Sequence, residues 1–438
     1  MTWQGRRSTK VLASASAATA YQRSWFADLR QRVADGEPFA IVNADAPQEI
    51  FRTMGIPYVV NQWWASVCAA KQRSADYLGL LRARGYPDDE EQYSALAFAS
   101  SLDPEPAGAP WGGLPRPTIV LAELTGDSQR KIFELWHTEH GATFYALERS
   151  VNATAHPRWW EHIDDDWEDV VGTERLDLMT AELTSLIRFL ETTTGRKFDE
   201  TRFRQIMALI NVQSEHNRAA RDLIAATVPA PISITDSIPS VMIPQWHRGT
   251  EWARDAARQF RTEIEERVGG GLAACPSERI RLMWIGTGLW FNLGFYQHFQ
   301  DTYGAVFVWS MYLGIAADGY IRRGPDPLRA LAARFVPFPD LLHMPPWSSE
   351  WYAKEAIHSQ IDGVVHLISG GDRGQYFITR ALESAGVPVL EIDADNVDAS
   401  TWDDQAMTAV VSKFIEDRAA PMAGRRAQRV RAAEGSTS

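Results

Sequence analysis

A glycine-rich segment at residues 369–374 has the sequence SGGDRG and lies between a predicted strand and a predicted helix. Glycines in such a segment expose backbone N–H groups, and the N-terminus of the following helix favours a bound anion. The Arg373 side chain can add a paired hydrogen-bond donor for a carboxylate or a phosphate. The segment therefore indicates either an anion site or a structural turn.

Candidate metal ligands are few and poorly placed. Two E-x-x-H pairs occur, at residues 134–137 and 355–358, and such pairs are typical of di-iron helical bundles. Here they fall in two different predicted α/β units, so one bundle cannot contain both. The two cysteines, Cys68 and Cys275, are too few for a cluster held by three or four thiolates. No metal site is predicted in this chain.

Common catalytic signatures are incomplete or absent. Residues 286–288 (GTG) follow a predicted strand, but the next glycine is Gly294, so the G-x-G-x-x-G dinucleotide fingerprint is not met. The chain also contains no G-x-S-x-G elbow and no G-x-x-x-x-G-K-[ST] loop. The sequence therefore gives no support to hydrolase or P-loop chemistry, and the GTG segment is interpreted as a tight turn.

Strands alternate with helices on both sides of a helical middle, which is typical of parallel α/β proteins. We predict an α/β fold with two Rossmann- or flavodoxin-like parallel-sheet domains. The predicted boundaries are an N-terminal helical arm at 1–36, a first α/β domain at 37–172, a helical segment and proline-rich linker at 173–244, a second α/β domain at 245–418 and a basic flexible tail at 419–438.

The composition narrows the class of protein. Of the 438 residues, 45% are hydrophobic and 23% charged, which excludes a disordered or fibrous chain. The net charge of -12 disfavours nucleic-acid binding, and no apolar run is long enough to span a membrane. The low cysteine count fits a reducing cytoplasm. The 17 tryptophans predict either core packing or an aromatic pocket or interface.

Three sequence blocks, taken together, resemble one enzyme family. The first runs over 47–58 (PQEIFRTMGIPY) and continues to 85–87 (GYP), the second is 126–134 (GDSQRKIFE), and the third joins 374–376 (GQY) to 386–395 (GVPVLEIDAD). In this order and spacing they are similar to subunits of 2-hydroxyacyl-CoA dehydratases and benzoyl-CoA reductases, over residues 38–418.

The resemblance implies two α/β domains and a complex of two related subunits that acts on an acyl-CoA thioester. Each family subunit typically binds a [4Fe–4S] cluster through three cysteines, and the cluster gives one electron to the thioester. The corresponding positions here are Glu91, Gly126 and the segment 368–371, and none holds a cysteine. We therefore expect no cofactor in this chain, and a [4Fe–4S] cluster, if one is used, in a partner subunit.

Three functions stay open from the sequence. The first is a cluster-free subunit of a CoA-thioester dehydratase or reductase. The second is a complex without a cluster that uses acid–base chemistry at Glu91, as a hydratase, lyase or isomerase. The third is a non-catalytic scaffold. The implied partners are a homologous second subunit and an acyl-CoA substrate, for which the Trp63-Trp64 pair favours an aromatic acyl group.

Glu91 is predicted to be the catalytic residue, as an acid or base in a semi-enclosed pocket. Ligands of open α/β sheets bind outside the carboxyl ends of the strands. The pocket is therefore expected between the two units, lined by residues 61–66, Glu91, Tyr93 and the loop at 369–375. The predicted substrate-binding residues are Gln62, Trp63, Trp64, Ser66, Tyr93, Asp127, Ser369, Gly370, Gly371, Arg373 and Gln375.

Overall fold

The computed structural model describes residues 5–123, 126–150, 155–335, 347–369 and 375–435, without the side chains of residues 107 and 429–435. The first unit contains a parallel sheet in the order β2-β1-β3-β4. Each of β1, β2 and β3 is buried throughout, as parallel strands covered by helices must be. The elements of this unit are α1 (Ala13–Ala34), β1 (Ala40–Val42), α2 (Gln48–Thr53), β2 (Tyr58–Val60), α3 (Asn61–Ala70), α4 (Ser74–Ala83), α5 (Gln92–Ser101), β3 (Ile119–Glu123), α6 (Asp127–His140) and β4 (Thr143–Leu147).

The second unit repeats this architecture in the order β6-β5-β7-β8, again with all strands parallel. The GTG segment is the tight turn that was predicted after β5. Gly286 has a φ of 94°, and a Cβ at this position would lie 2.6 Å from the carbonyl oxygen of Leu367. The elements are β5 (Ile280–Ile285), α12 (His298–Tyr303), β6 (Ala305–Ser310), α13 (Met311–Asp318), α14 (Pro327–Phe335), α15 (Trp347–His358), β7 (Gly363–Ile368), α16 (Gln375–Ser384), β8 (Val389–Asp393), α17 (Asp404–Phe414) and α18 (Ala420–Gly435). The prediction of an α/β fold with two parallel sheets is confirmed.

The remaining helices form a helical layer that contacts both units. They are α7 (Trp167–Val171), α8 (Thr173–Thr194), α9 (Glu200–Ala226), α10 (Ile234–Trp246) and α11 (Glu251–Gly269). Gly195 ends α8 in the left-handed conformation. Helix α9 packs against α11 and α13, and α8 packs against α14. The helical layer thus joins the two sheet units.

Two regions differ from the sequence prediction. Most of the proline-rich segment expected as a linker forms α10, which contains Pro239 and Pro244 and packs against α1, α11 and α13. The tail expected to be frayed is largely helical as α18, and its Arg426 pairs with the buried Asp362 at 2.8 Å. Tertiary contacts determine the conformation in both places. Among the described residues, no helix is long and apolar enough to cross a membrane.

Candidate functional site

Two asparagines stand at the carboxyl ends of neighbouring strands in the first sheet. Asn43 directly follows β1, and its Oδ1 accepts a hydrogen bond from the Glu123 N–H at 3.1 Å. Asn61 directly follows β2, and its Nδ2 donates to the Ser94 carbonyl at 2.9 Å. The other polar atom of each side-chain amide, Nδ2 of Asn43 and Oδ1 of Asn61, is buried and has no hydrogen-bond partner among the described residues. This edge therefore presents one unused donor and one unused acceptor.

Aromatic side chains join this edge to the second unit. Tyr93 of α5 stacks on Trp290, which follows β5, with ring centroids 6.4 Å apart. Trp290 in turn contacts Tyr312 of α13, which follows β6, at 5.7 Å. The Gly288 N–H donates to the Tyr312 hydroxyl oxygen at 2.8 Å. The carboxyl ends of both parallel sheets thus meet at one place, the expected position for a ligand site in open α/β sheets.

The two phenols at this junction remain protonated over the usual pH range. Burial is the main cause that raises the pKa of Tyr93, and nearby Tyr312 raises it further. Burial likewise raises the pKa of Tyr312, which is 8% exposed. A protonated phenol can donate a hydrogen bond to a carbonyl oxygen. Together with the amides of Asn43 and Asn61, the junction offers neutral polar groups that suit a polar, uncharged ligand group.

The predicted residues at 62–66 have contacts inside the first unit. The Gln62 Oε1 atom accepts from the Ala44 N–H at 2.8 Å, and the Ser66 hydroxyl donates to the Trp63 carbonyl at 2.7 Å. Trp64 is 0% exposed, and its Nε1 donates to the Ser100 hydroxyl at 2.8 Å. Trp63 is buried among other aromatic rings, including Trp25 and Phe26. The expectation that these residues line a pocket is corrected for Trp64, which lies in the core.

Glu91 and Asp127 lie on the surface. Glu91 is exposed and precedes α5 with a left-handed φ of 48°, and the Ser94 hydroxyl donates to its carboxylate at 3.3 Å. In the single chain Glu91 is therefore not enclosed by a pocket, and its catalytic role stays a prediction. Asp127 is exposed at the first turn of α6, and its Oδ1 accepts from the Ser128 N–H at 3.1 Å. Of the residues predicted to line a pocket, the structure brings Tyr93 into contact with the second unit.

The glycine-rich segment is described only at its two ends. Ser369 is half-buried after β7, while Gly370, Gly371 and Arg373 lie outside the described residues. Gln375 is buried at the start of α16 and hydrogen-bonds to the Nε2 atom of His366. Burial lowers the pKa of His366 to about 4, so this histidine is neutral near pH 7. The beginning of α16 is thus fixed to β7 by a buried polar contact.

An ion cluster fixes the turn between β1 and α2. Glu49 of α2 is 0% exposed and accepts from Arg248 at 2.5 Å and from Arg334 at 2.7 Å. Burial alone would raise its pKa, but the two arginines hold the pKa of Glu49 well below its usual range. Arg248 also donates to the Ala46 carbonyl at 3.1 Å. Two residues from outside the first sheet therefore position the turn that begins at Asn43.

The junction does not suit an iron–sulfur cluster held by this chain. Cys68 is buried in α3, where burial raises its pKa above the ordinary thiol value. Cys275 is buried before β5, at the amino end of that strand and therefore at the opposite edge of the sheet. Among the described residues, no group of three or more His, Cys, Asp or Glu side chains is arranged to hold a metal ion. The polar side chains at the junction are amides and phenols, which are not the thiolates that hold such a cluster.

These features define a two-domain parallel α/β protein in which the strand carboxyl ends of both units face a shared polar and aromatic junction. The family model described as 2-hydroxyglutaryl-CoA dehydratase, D-component, matches residues 43–417, and the chain belongs to this family. The family predicted from the three sequence blocks is thereby confirmed.

Two relatives are similar to this chain over most of their length. The (R)-phenyllactyl-CoA dehydratase alpha subunit of Clostridium sporogenes is 25% identical over 368 residues, which cover 83% of this chain and 85% of the relative. The (R)-2-hydroxyisocaproyl-CoA dehydratase alpha subunit of Clostridioides difficile is 20% identical over 389 residues, which cover 87% of this chain and 90% of the relative. Both relatives are subunits of enzymes that act on CoA thioesters.

Sequence reasoning named Tyr93 and the segment 61–66, which includes Asn61, but it did not find Asn43, Trp290 or Tyr312. The sequence does carry one signal for these residues, which is their position. Asn43, Asn61, Trp290 and Tyr312 each come after a buried apolar strand, at or near its carboxyl end. No spacing motif marks such residues, since their proximity arises from the parallel arrangement of strands that are distant in sequence.

Proposed function

We propose that this chain is the cluster-free, substrate-binding subunit of a two-subunit enzyme that removes water from a 2-hydroxyacyl-CoA thioester. The family and both relatives support an acyl-CoA dehydratase subunit. The observation that carries the proposal is the junction of Tyr93, Trp290 and Tyr312 with the two strand-end asparagines. It offers neutral hydrogen-bond donors at the place where both sheets direct their carboxyl ends.

In this proposal the side chains of the junction bind and orient the thioester. The phenols of Tyr93 and Tyr312 and the Asn43 amide are suited to donate hydrogen bonds to the thioester carbonyl or to the 2-hydroxyl group. The Trp290 ring covers one side of the junction and limits the access of water. Because the junction lacks thiolates, any electron transfer is assigned to a homologous second subunit that holds a [4Fe–4S] cluster. The acid–base alternative at Glu91 loses its main support, since Glu91 is exposed.

The proposal is tested by measuring the iron content and the dehydratase activity of the separately purified chain. After anaerobic purification the chain alone should contain no stoichiometric iron and should not dehydrate (R)-phenyllactyl-CoA or 2-hydroxyisocaproyl-CoA. Activity should appear when a cluster-containing second subunit is added. About four iron atoms per chain in the lone protein, as one [4Fe–4S] cluster requires, would contradict the proposal.

Substitution of Glu91 separates the alternatives. If acid–base chemistry at Glu91 drives the reaction, Glu91→Gln should abolish the activity of the folded complex. If the chain is only a scaffold, substitutions at Tyr93 and Tyr312 should leave substrate binding intact. Loss of substrate binding in the junction variants, with Glu91→Gln still active, is the result that the proposal expects.

A further inference from the structure

Arg322 is a buried cation with unused hydrogen-bond donors. It lies between α13 and α14 and is 2% exposed. Asn211 of α9 holds its backbone, accepting from the Arg322 N–H and donating to the Arg322 carbonyl, both at 3.1 Å. The Nη1 atom donates to the Ile321 carbonyl at 2.6 Å. Nε and Nη2 are buried and have no hydrogen-bond partner among the described residues.

Asp164, the carboxylate that acts on Arg322, and Glu49, which binds the neighbouring Arg334, are both already paired with arginines. Asp164 accepts two hydrogen bonds from Arg218, at 2.6 and 3.1 Å. Glu49 is paired with Arg334 as well as with Arg248. Burial lowers the pKa of Arg322 to about 9; the negative charge of Asp164 raises it, while the positive charges of Arg334 and Arg218 lower it. Asp164 is hydrogen-bonded to Arg218, and among the described residues no carboxylate accepts a hydrogen bond from Arg322 Nε or Nη2.

Helix α9 adds further unused polar atoms on the side that packs against this segment. Ser214 lies between Asn211, which binds Arg322, and Arg218, which donates to the Ala317 carbonyl at 3.1 Å. Residues three and four apart share one face of a helix, so Ser214 faces the segment at 317–322. Its hydroxyl and both amide atoms of Asn217 are buried without a partner among the described residues. Buried polar groups of this kind usually have an ion, a water molecule or a ligand as partner.

We propose that Arg322 binds an oxyanion, either a carboxylate or a phosphate group, in the interior between α9 and the segment that joins α13 to α14. Nε and Nη2 lie on one edge of the guanidinium and form the donor pair that matches two oxygens of such a group. The Ser214 hydroxyl supplies a further donor. A bound anion removes the high cost of a buried, unpaired charge.

The oxyanion can come from two sources. One is a free anion such as inorganic phosphate. The other is a carboxylate at the end of the substrate's acyl chain, and this source rests on the proposed function. Tyr320, two residues from Arg322, has its pKa raised by burial and also by Asp45, which follows β1. The segment thus passes near the carboxyl end of the first sheet.

Thermal unfolding of the full chain tests the site with Arg322→Met. In a buffer low in anions, Arg322→Met should be as stable as the wild type or more stable, because it removes an unpaired buried charge and keeps the volume. Added phosphate or glutarate should raise the wild-type Tm by about 1–2 °C for each tenfold increase above the Kd. The variant should lack this response. Since phosphate stabilises folded proteins in general, the difference between wild type and variant is the measured quantity.

Arg323→Met is the matched control, because Arg323 is the next residue, is exposed, and pairs with Asp165 and Glu215. It removes the same charge and should keep the response to anions. If Arg322→Met does not fold, Arg322→Lys retains the charge but loses the paired donors, and its response should be weaker than that of the wild type.

Each outcome has a defined meaning. If phosphate or glutarate raises the Tm of the wild type, and only the Arg322 variants lose this rise, the result supports a site that binds a free anion. If glutaryl-CoA raises the Tm and valeryl-CoA does not, and the same variants lose this rise, the result supports binding of a carboxylate at the end of the acyl chain. Equal responses of wild type and Arg322→Met, or a lower stability of Arg322→Met in every buffer, overturn the inference. Failure of the chain to bind any acyl-CoA would count against the proposed function and leave the free-anion result unaffected.

Discussion

Tyr312 and Tyr296 accept hydrogen bonds from successive backbone N–H groups in the turn after β5. The Gly288 N–H donates to Tyr312 at 2.8 Å, and the Leu289 N–H donates to Tyr296 at 2.9 Å. Burial raises the pKa of both phenols, so each keeps its own proton. Their positions differ, because Tyr312 contacts Trp290 at the junction whereas Tyr296 is 0% exposed inside the second unit. The same group therefore faces the junction in one case and the core in the other.

Tyr312→Phe removes the phenol at the junction, and Tyr296→Phe removes the matched phenol in the core. Both variants lose the acceptor for one backbone N–H, so both should lose a similar amount of stability. Only Tyr312→Phe should lose a donor to the substrate, which lowers kcat/KM by about 10–100-fold if the oxygen it contacts becomes negatively charged. Steady-state kinetics of the complex check this. Equal kinetics for the two variants would remove Tyr312 from the site.

At the scale of elements, the turn between β1 and α2 is held by the Glu49 cluster. Helix α2 has only six residues, too few for a stable isolated helix, so its position depends on tertiary contacts. Arg248 follows α10, Arg334 lies in the last turn of α14, and both bind Glu49. Elements that are distant in sequence therefore fix the turn that carries Asn43. The position of this strand-end amide depends on a buried ion cluster as well as on the sheet.

Glu49→Gln leaves two buried guanidinium groups without a carboxylate and should lower the free energy of unfolding by about 3–5 kcal/mol. Glu134→Gln is the control, because it removes a surface carboxylate paired with Arg130 and Lys131 and should cost much less. Denaturant unfolding measures both.

The acid dependence of stability gives a second measurement on the same cluster. The pKa of Glu49 is held below its usual range in the folded chain, so the unfolded chain binds the proton more tightly. The stabilisation is therefore fully present above the unfolded pKa of about 4.3 and is lost as the pH falls below it. Glu49→Gln should show a weaker loss of stability between pH 5 and pH 3. An unchanged acid dependence would mean that another carboxylate controls it.

Apolar runs predicted the strands because strands buried on both faces consist almost entirely of apolar residues, as the segments at 280–285 and 363–368 show. Helix α10 was not predicted, because Pro239 and Pro244 suggest an extended linker and only packing against α1, α11 and α13 compensates for them. The site was largely missed for a related reason. Tyr312 is an ordinary residue in sequence, and only the parallel sheets bring it near Trp290 and Tyr93.

At the scale of the whole molecule, the burial of the tryptophans distinguishes between the two roles that their number suggested. The fully buried ones include Trp64, Trp136, Trp159, Trp284, Trp347 and Trp351, and no described tryptophan is among the exposed large hydrophobic residues. Their abundance therefore reflects core packing, and it does not indicate a large aromatic interface. The expectation of a second subunit must rest on the family and on the missing thiolates.

The last prediction concerns how activity depends on that second subunit. Because no described tryptophan is among the exposed large hydrophobic residues, the lone chain should be folded and should elute at its own mass of 49.1 kDa. It should have no dehydratase activity, because the junction of the two sheets has hydrogen-bond donors but no thiolates to hold a redox group. When a homologous cluster-containing subunit is titrated into a fixed amount of this chain, activity should rise in proportion and reach a plateau at equal amounts of the two subunits. Light scattering after size-exclusion chromatography should show a heterodimer or a multiple of it at the plateau.

Full activity of the 49.1 kDa chain by itself would show that the catalytic groups are all present in one chain, and the division of roles between two subunits would then be wrong.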